Sequence, residues 1–404
     1  MKRTYLYATA ASLLFSFAGV VSAQSVESAP APLQFGQDLQ VDAGLAAKAG
    51  IPAQVWRWAG VVNGDRSDTA GSDGSRRKGS DSDEADAKHS EAWIAVNVKT
   101  GYSYRVEVPR EVSHTFYRQA LQAGLTGSNA GTAVNGSEAD AAGLKGWSDG
   151  IDTRTRRFDN TTFPFRAMGQ LGGGNTSGCS GTLVGRRHVL TAAHCLYNRD
   201  SETWSLGAIF RPGREGTCND ASCEPYGEHT GEWFFTPEAY RTSTSWADDY
   251  GIMVLDTAPG DTTGWLGYVA ISESSLRDYC DDDASGSGRC FNRGYPACGL
   301  SGAPASCQQG WAYQDTNNCQ IGSFSSTDAD GWKARYSTAC DLSGGHSGSA
   351  VYTDVWAGSS DVVVGVVSTQ TCSTCSASDD FPNGIRRITP EVLDWIAYFK
   401  STRP

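Results

Sequence analysis

Three short segments, far apart in the chain, carry the side chains of one kind of reaction centre and stand in the order His, Asp, Ser. Residues 191–195 contain His194, residues 248–255 open on two aspartates, and residues 344–349 contain Ser347. Acyl transfer near neutral pH needs a hydroxyl nucleophile, an imidazole that takes its proton, and a buried carboxylate that holds the imidazole in the right tautomer. The chain therefore supplies all three groups, and its fold must bring them together.

The order of these groups discriminates between folds. α/β-Hydrolases run Ser, acid, His and subtilisins run Asp, His, Ser, whereas chymotrypsin-like barrels run His, Asp, Ser. Around the serine, Ser349 also replaces the second glycine of the G-x-S-x-G turn that lipases use. The order therefore favours β-barrels over an α/β-hydrolase.

The distribution of apolar residues agrees with that interpretation. From Phe165 onwards the apolar runs are short, often alternating, and interrupted by Gly and Pro, as is typical of antiparallel barrels. Near the end of the chain, Thr389 as N-cap, Pro390 at the first position and Glu391 in the first turn predict a helix with an apolar stripe. We expect an all-β fold of two six-stranded antiparallel barrels of the chymotrypsin type, with a C-terminal helix.

The amino-acid sequences of the motifs support a more specific comparison. The run Cys-Ser-Gly-Thr-Leu-Val-Gly from Cys179 and the run Val-Leu-Thr-Ala-Ala-His-Cys at 189–195 resemble trypsin-fold serine peptidases. The closest resemblance is to the bacterial V8-like, glutamyl-endopeptidase-like branch, with similar stretches at 150–154, 162–164 and 294–296. The resemblance implies a serine endopeptidase that acts on polypeptides through an acyl-enzyme and needs no cofactor.

Each reactive group then has a role. His194 is the general base for Ser347, and Asp249 orients the imidazole, which leaves Asp248 as a loop residue. The backbone N–H groups of Gly345 and Ser347 are the expected oxyanion hole, because a tight turn without a side chain can aim both at one oxygen.

The sequence also suggests residues that line the substrate pocket, but it does not decide which side chain the pocket accepts. Asp341 and Ser368 are expected to line it, and a buried carboxylate at Asp341 favours Lys or Arg substrates. Val367 stands where the V8-like branch has a histidine associated with acidic substrates, which weakens a glutamyl preference. His346 replaces the aspartate that pairs with a new N-terminal amine in trypsin-type zymogens, so that activation switch is absent.

All twelve cysteines lie between Cys179 and Cys375, and an even number in an exported chain indicates disulfides. The resemblance implies a pair between Cys179 and Cys195, beside the histidine. Two further expected pairs are Cys218 with Cys223, and Cys340 with Cys372 or Cys375. The connectivity of the cysteines from 280 to 319 stays open. No metal site is expected, because the C-x-x-C at 372–375 has no second ligand pair at zinc spacing.

The first third of the chain has a different organisation. Residues 1–23 have the charged, apolar and small-residue regions of a signal peptide, and residues 24–149 are expected to form a small α+β or partly disordered propeptide. Within it, the polar stretch 63–90 is expected to be disordered, residues 91–108 to form a β-hairpin and 111–125 a helix. The peptidase domain is expected over 150–404. Arg154, Arg156 and Arg157 are either basic cleavage sites or solvated surface charges.

The net charge of −12 argues against nucleic-acid binding, and no stretch after the leader is long and apolar enough to span a membrane. We expect a secreted monomer, extracellular or periplasmic. Two alternatives remain: a catalytically silent binding homologue of the same fold, which the intact triad disfavours, and an esterase.

Overall fold

The computed structural model describes residues 33–34, 55–61, 92–107, 152–173, 178–281, 288–300, 302–328, 330–354, 361–370, 381 and 383–403. The predictions for the leader at 1–23, the polar stretch 63–90, the helix at 111–125 and the cysteines at 372 and 375 lie outside the described residues. Among the described residues, no helix has the length and apolar character needed to cross a bilayer.

Strands dominate the described chain. In chain order they are β1 (Leu33–Gln34), β2 (Val55–Val61), β3 (Ala92–Asn97), β4 (Tyr102–Glu107), β5 (Arg154–Arg156), β6 (Met168–Gly172), β7 (Cys179–Leu183), β8 (His188–Thr191), β9 (Tyr197–Asn198), β10 (Thr203–Trp204), β11 (Ile209–Pro212), β12 (His229–Pro237), β13 (Gly251–Leu255), β14 (Gly267–Tyr268), β15 (Cys290–Gly294), β16 (Tyr313–Asp315), β17 (Ile321–Thr327), β18 (Lys333–Thr338), β19 (Ala350–Thr353), β20 (Val362–Gln370) and β21 (Asn383–Arg387). The α-helices are α1 (Glu238–Thr242), α2 (Gly260–Thr263), α3 (Glu273–Cys280) and α4 (Pro390–Thr402), and single 3-10 turns lie at Phe165–Ala167 and Ala193–Cys195.

The first barrel holds the His and Asp segments at one end. Its strands follow the order β12, β11, β6, β7, β8, β13, and β13 pairs again with β12, which closes the barrel. Strand β8 ends at Thr191 and β13 begins at Gly251, and these two residues are cross-strand partners. His194 and Asp249 lie just beyond these paired ends, so the strand register brings the two segments together.

The second sheet carries the serine segment. It runs β17, β18, β21, β20, β19, β15, β16, β5, and β14 pairs with β20 in parallel. Ser347 lies in the loop between β18 and β19, and β19 pairs antiparallel with β20. The predicted all-β, chymotrypsin-type class is confirmed, and the first barrel is closed with six strands. The second, which was also expected to be a six-stranded barrel, is a half-barrel, because no strand pair closes its sheet within the described residues.

The C-terminal helix α4 begins where the sequence predicted, with Pro390 in its first turn and Thr389 at the N-cap position. The Thr389 side chain makes no capping hydrogen bond. Trp395, Ile396 and Phe399 are buried in the core that fills the first barrel. Burial of this apolar stripe therefore stabilises the helix more than its cap does.

The predicted hairpin before the peptidase region is confirmed as β3 and β4. The sequence placed it in a separate prosegment, but β3 pairs with β12 and so extends the sheet of the first barrel. Short-range patterns predict a hairpin, whereas its docking depends on a strand more than a hundred residues further along the chain.

Candidate active site

The Asp249 carboxylate fixes the position and the tautomer of His194. Asp249 Oδ1 accepts the backbone N–H of His194 at 2.9 Å, and Asp249 Oδ2 lies 2.8 Å from the ring Nδ1. A proton on Nδ1 satisfies that contact and leaves the ring Nε2 as a proton acceptor. The neighbouring disulfide, Cys179 to Cys195, holds the short turn that carries the histidine.

Asp249 is fully buried and still ionised at neutral pH. Burial by itself raises its pKa, but the attraction of His194 and the hydrogen bonds from His194 and Ser368 outweigh burial and hold the pKa below its ordinary value. The carboxylate can therefore stabilise an imidazolium when His194 takes a proton.

Ser368 contacts Asp249. Its hydroxyl donates to Asp249 Oδ2 at 2.6 Å, whereas its place in the substrate pocket stays a prediction. Ser368 is buried on β20, and its neighbours Val366 and Val367 are buried as well. The hydrogen bond helps to fix the orientation of the Asp249 carboxylate.

The loop around Ser347 is pressed against the segment that leads into His194. The carbonyl of Ser347 accepts the backbone N–H of Ser180 at 2.7 Å. Gly348 has φ +81°, and a Cβ atom there would lie 2.0 Å from Thr191 Oγ1 and 3.0 Å from the backbone nitrogen of Ala192. Only glycine permits this approach, which sets Ser347 beside the histidine turn.

Among the described residues, the hydrogen bonds of the His194 ring run to Asp249, and none joins the ring to Ser347. Both His194 and Ser347 are partly accessible to solvent. Catalytic hydrogen bonds are often long in a ligand-free site and tighten when substrate binds. The structure therefore shows the contact between His194 and Asp249, and the contact between His194 and Ser347 stays a prediction.

Gly345 shapes the predicted oxyanion hole. Its φ is +94°, and a Cβ atom would lie 2.4 Å from the carbonyl oxygen of Tyr295 and 2.5 Å from the nitrogen of Ala297. Its own carbonyl accepts the Ser180 hydroxyl at 2.8 Å. Neither the Gly345 N–H nor the Ser347 N–H has an acceptor within the described part of the chain. Two uncommitted donors beside the nucleophile can bind an oxyanion.

Asp341 does not offer its carboxylate to an open pocket. Its Oδ2 accepts the backbone N–H of Thr153 at 2.7 Å and the Thr153 hydroxyl at 3.1 Å. Its own N–H donates to Asp315 Oδ2 at 2.7 Å, and Asp341 is 1% exposed. The prediction that Asp341 receives a Lys or Arg side chain is wrong for this arrangement, because the carboxylate binds the first residues of the domain.

Those first residues also reach the nucleophile loop, through Arg154. Asp152 holds the Arg154 guanidinium with two hydrogen bonds of 2.8 and 2.9 Å, and Arg154 Nη1 donates to Ser343 Oγ at 2.5 Å. Ser343 Oγ lies 3.5 Å from His346 Nδ1, next to the nucleophile. Burial, with repulsion from Arg154, keeps the pKa of His346 well below its ordinary value, so this histidine is neutral.

The sequence interpretation missed this role of Arg154 and grouped it with Arg156 and Arg157 as cleavage sites or surface charges. The Arg154 side chain is completely buried and β5 pairs with β16, so the bond after it is not an open cleavage site. A second missed residue is Trp246, whose ring meets the His194 ring edge-on at 6.1 Å. Neither residue stands in a motif that signals its contact.

The disulfides agree with two expected pairs and correct a third. Cys179 pairs with Cys195, and Cys218 pairs with Cys223. Cys340 pairs with Cys319, so the expected partner at 372 or 375 is wrong. Strands β17 and β18 form a hairpin in which Ile321 opposes Thr338, and this register puts the two cysteines side by side at its open end. The pairs left open by the sequence are Cys280–Cys290 and Cys298–Cys307.

One cluster in the described residues has the composition of a metal site: Cys179, His194 and Cys195. The two cysteines form a disulfide and have no thiolate to offer, and Nδ1 of the histidine faces Asp249. This cluster does not fit a metal ion.

A buried acid, a histidine and a serine loop at the junction of a closed β-barrel and a half-barrel define a serine peptidase domain of the chymotrypsin-like class. The family model described as Trypsin matches residues 153–396, and the chain belongs to this family. The family match confirms the predicted resemblance to trypsin-like serine peptidases.

Curated relatives match parts of the chain. It is 38% identical over 131 residues to an extracellular metalloprotease of Bacillus subtilis (strain 168), which covers 31% of this chain and 40% of that protein. It is 28% identical over 203 residues to a glutamyl endopeptidase of Bacillus licheniformis, which covers 50% of this chain and 54% of that protein. The second match agrees with the predicted V8-like branch. The chain spans about half the length, or less, of these relatives.

Solved structures to which the chain is similar include a Glu endopeptidase in complex with MPD, with a TM-score of 0.45 and 22% identity over 63% of this chain and 99% of that chain. Another is the protease Anisep from Arthrobacter nicotinovorans, with a TM-score of 0.41 and 17% identity over 59% of this chain and 96% of that chain.

Proposed function

We propose that this protein is a secreted serine endopeptidase that hydrolyses peptide bonds through Ser347, His194 and Asp249. The observation that carries the proposal is the double contact of Asp249 with the backbone N–H and the ring Nδ1 of His194. A solvated surface histidine has no need of a fully buried carboxylate on both groups, whereas a general base does.

In the proposed mechanism, Ser347 Oγ attacks the substrate carbonyl carbon while its proton passes to Nε2 of His194. The tetrahedral oxyanion accepts hydrogen bonds from the N–H groups of Gly345 and Ser347. Collapse breaks the C–N bond, and His194 gives its proton to the leaving amine. Water then attacks the acyl-enzyme with His194 as base, which releases the carboxylic acid and restores the serine.

The proposed location and partners of the protein are those of a secreted serine endopeptidase. Five disulfides join described cysteines, which fits an oxidising compartment outside the cytoplasm, extracellular or periplasmic. The substrates are polypeptides, as in the trypsin family. The acidic net charge disfavours nucleic acid as a partner, and we propose a monomer that acts without cofactor.

Substrate preference needs an unbiased measurement. One relative is named glutamyl endopeptidase, but Val367 occupies the position of the branch's histidine and is buried. Asp341 is buried, and its Oδ2 accepts hydrogen bonds from the backbone N–H and the hydroxyl of Thr153. The residues singled out by sequence therefore provide neither an acid-binding nor a base-binding group.

The decisive experiment is fluorophosphonate labelling of the purified, processed and oxidised protein, with Ser347→Ala as the control and a peptide library digested in parallel. Labelling at Ser347 with cleavage of peptides supports the proposal, and the library gives the preferred side chain. Labelling with turnover of esters and of no peptide supports the esterase alternative. Absence of labelling in a folded, disulfide-bonded protein overturns both and favours the silent binding homologue.

A further inference from the structure

The hairpin of β3 and β4 precedes the family-matched residues 153–396, yet it is built into the first barrel. Strand β3 pairs with β12 in antiparallel register over five residues, from Trp93 opposite Pro237 to Asn97 opposite Trp233. Residues from Ala92 to Val96 are all buried, so both faces of β3 are covered. A strand that is buried on both faces is a structural element of a core and not a loosely attached segment.

Trp93 anchors the hairpin in an aromatic cluster of the peptidase domain. Its side chain is fully buried, and its ring centroid lies 5.2 Å from Tyr250, 5.1 Å from Trp395 and 5.0 Å from Phe399. Tyr250 directly follows the acid Asp249, and the other two partners lie on α4. The indole therefore joins the segment of the acid to the C-terminal helix, and its removal would leave a cavity between them.

A charged contact adds a third, independent attachment. Arg105 on β4 donates through Nε to both carboxylate oxygens of Glu238, at 2.8 and 2.9 Å, and through Nη2 to Oε2 at 2.7 Å. Glu238 begins α1, directly after β12. A guanidinium that binds a carboxylate through two nitrogens fixes the orientation of both groups as well as their distance. This contact therefore favours one register of the docked hairpin.

We propose that residues 92–107 are a permanent part of the folded protein, and that cleavage of the chain between 107 and 152 yields two fragments that remain bound to each other. The interaction surface consists of β12, Glu238, Tyr250 and α4, and its partner is this chain's own hairpin. The proposal goes beyond the proposed function, because it holds whether or not Ser347 is an activated nucleophile.

The cysteine distribution makes the proposal directly testable. Every cysteine lies at or after Cys179, so no disulfide can link the hairpin fragment to the rest of the molecule. Retention of the fragment after cleavage then reports non-covalent binding alone.

The experiment uses the full chain with Ser347→Ala, so that self-digestion cannot contribute, and with a site for a highly specific protease inserted at residue 130. After complete cleavage, size-exclusion chromatography and native mass spectrometry are run without denaturant. We expect both fragments to co-elute with the summed mass and to separate only in denaturant. Elution of the larger fragment alone, with the same melting temperature as the uncut protein, overturns the proposal.

Variants locate the contact. In the cleaved protein, Trp93→Ala and Arg105→Glu are each expected to raise the dissociation constant of the fragments at least tenfold, and Arg105→Glu with Glu238→Arg is expected to recover most of the loss. Lys99→Ala at the exposed turn of the hairpin is the matched control and should change nothing. If Trp93→Ala does not fold, the charge-swap pair decides alone. Retention that none of these changes weakens places the contact elsewhere and overturns the proposal.

Discussion

Arg154 Nη1 donates to Ser343 Oγ at 2.5 Å, which joins the first strand of the family-matched region to the loop of the nucleophile. The same guanidinium is held by Asp152 and by the carbonyl of Gly302. In trypsin-type zymogens, a new N-terminal amine pairs with an aspartate in the loop of the nucleophile. Here His346 occupies the position of that aspartate. We expect this internal arginine to position the loop of Ser347.

Arg154→Ala is expected to slow fluorophosphonate labelling of Ser347 by about ten- to a hundredfold, because a lost hydrogen bond from a buried charged group costs about 1.5–3 kcal/mol. Arg154→Lys should restore only part of the rate, since an ammonium cannot reproduce the guanidinium fork. The control is Arg156→Ala, two residues along and half-exposed. An unchanged labelling rate in Arg154→Ala would show that Arg154 does not position the loop.

Asp249→Asn is expected to lower peptide turnover by about four orders of magnitude, because the amide no longer enforces the productive tautomer of His194. The measurement is kcat/KM on the best library peptide, with circular dichroism to verify folding. Asp248→Asn is the matched neighbour and should retain activity. The reverse ranking of the two variants would identify Asp248 as the acid.

Ser368→Ala tests whether this serine positions the acid or determines the substrate preference. Its hydroxyl donates to Asp249 Oδ2, and a hydrogen bond to a charged acceptor contributes about 1.5–3 kcal/mol. We expect kcat to fall about tenfold or more while the library preference stays the same. A changed side-chain preference with unchanged kcat would instead support the original pocket interpretation.

The stability of the fold is expected to decline in acid through His188. Burial first, and then repulsion from Lys400 and Arg187, lowers the pKa of His188 to about 3. In the unfolded chain its pKa is about 6.5, so unfolding takes up a proton between these values and stability falls as the pH drops from about 6.5 to 3. From pH 6.5 to pH 4 the loss is about 3 kcal/mol.

Urea unfolding of the Ser347→Ala protein across this pH range measures the effect. His188→Gln keeps a donor toward the carbonyl of Phe399, which lies 3.3 Å from Nε2, and removes the titration. The difference between the two proteins isolates His188 from the other groups that titrate in this pH range. Parallel stability curves for the two proteins would exclude this histidine as the cause.

The parts of the fold that the sequence predicted correctly were encoded locally. The hairpin of β3 and β4 has an alternating pattern with a turn between its strands, and α4 has its own start signal. Pairings between distant strands carried no such signal. The disulfide from Cys319 to Cys340 depends on the register of β17 with β18, and this register cannot be derived from the spacing of cysteines.

The sequence also could not predict which distant residues contact the acid and the nucleophile loop. Ser368 and Asp249 meet across the junction of the two sheets, and Arg154 meets Ser343 nearly two hundred residues away in the chain. Asp341 was assigned to the substrate pocket from its position in the sequence relative to Ser347. In the structure its carboxylate accepts a hydrogen bond from Thr153 instead. Polar contacts of this kind depend on side-chain satisfaction in the folded interior.

The pairing of β3 with β12 also affects how this protein behaves in solution. Without the hairpin, β12 would present unpaired N–H and C=O groups from Trp233 to Pro237, next to an uncovered aromatic cluster. An exposed strand edge of this kind recruits strands from other molecules and leads to aggregation. A chain trimmed to residues 153–396 would lose this cover together with the last turns of α4. We therefore expect the trimmed chain to self-associate more readily than the chain that retains the hairpin.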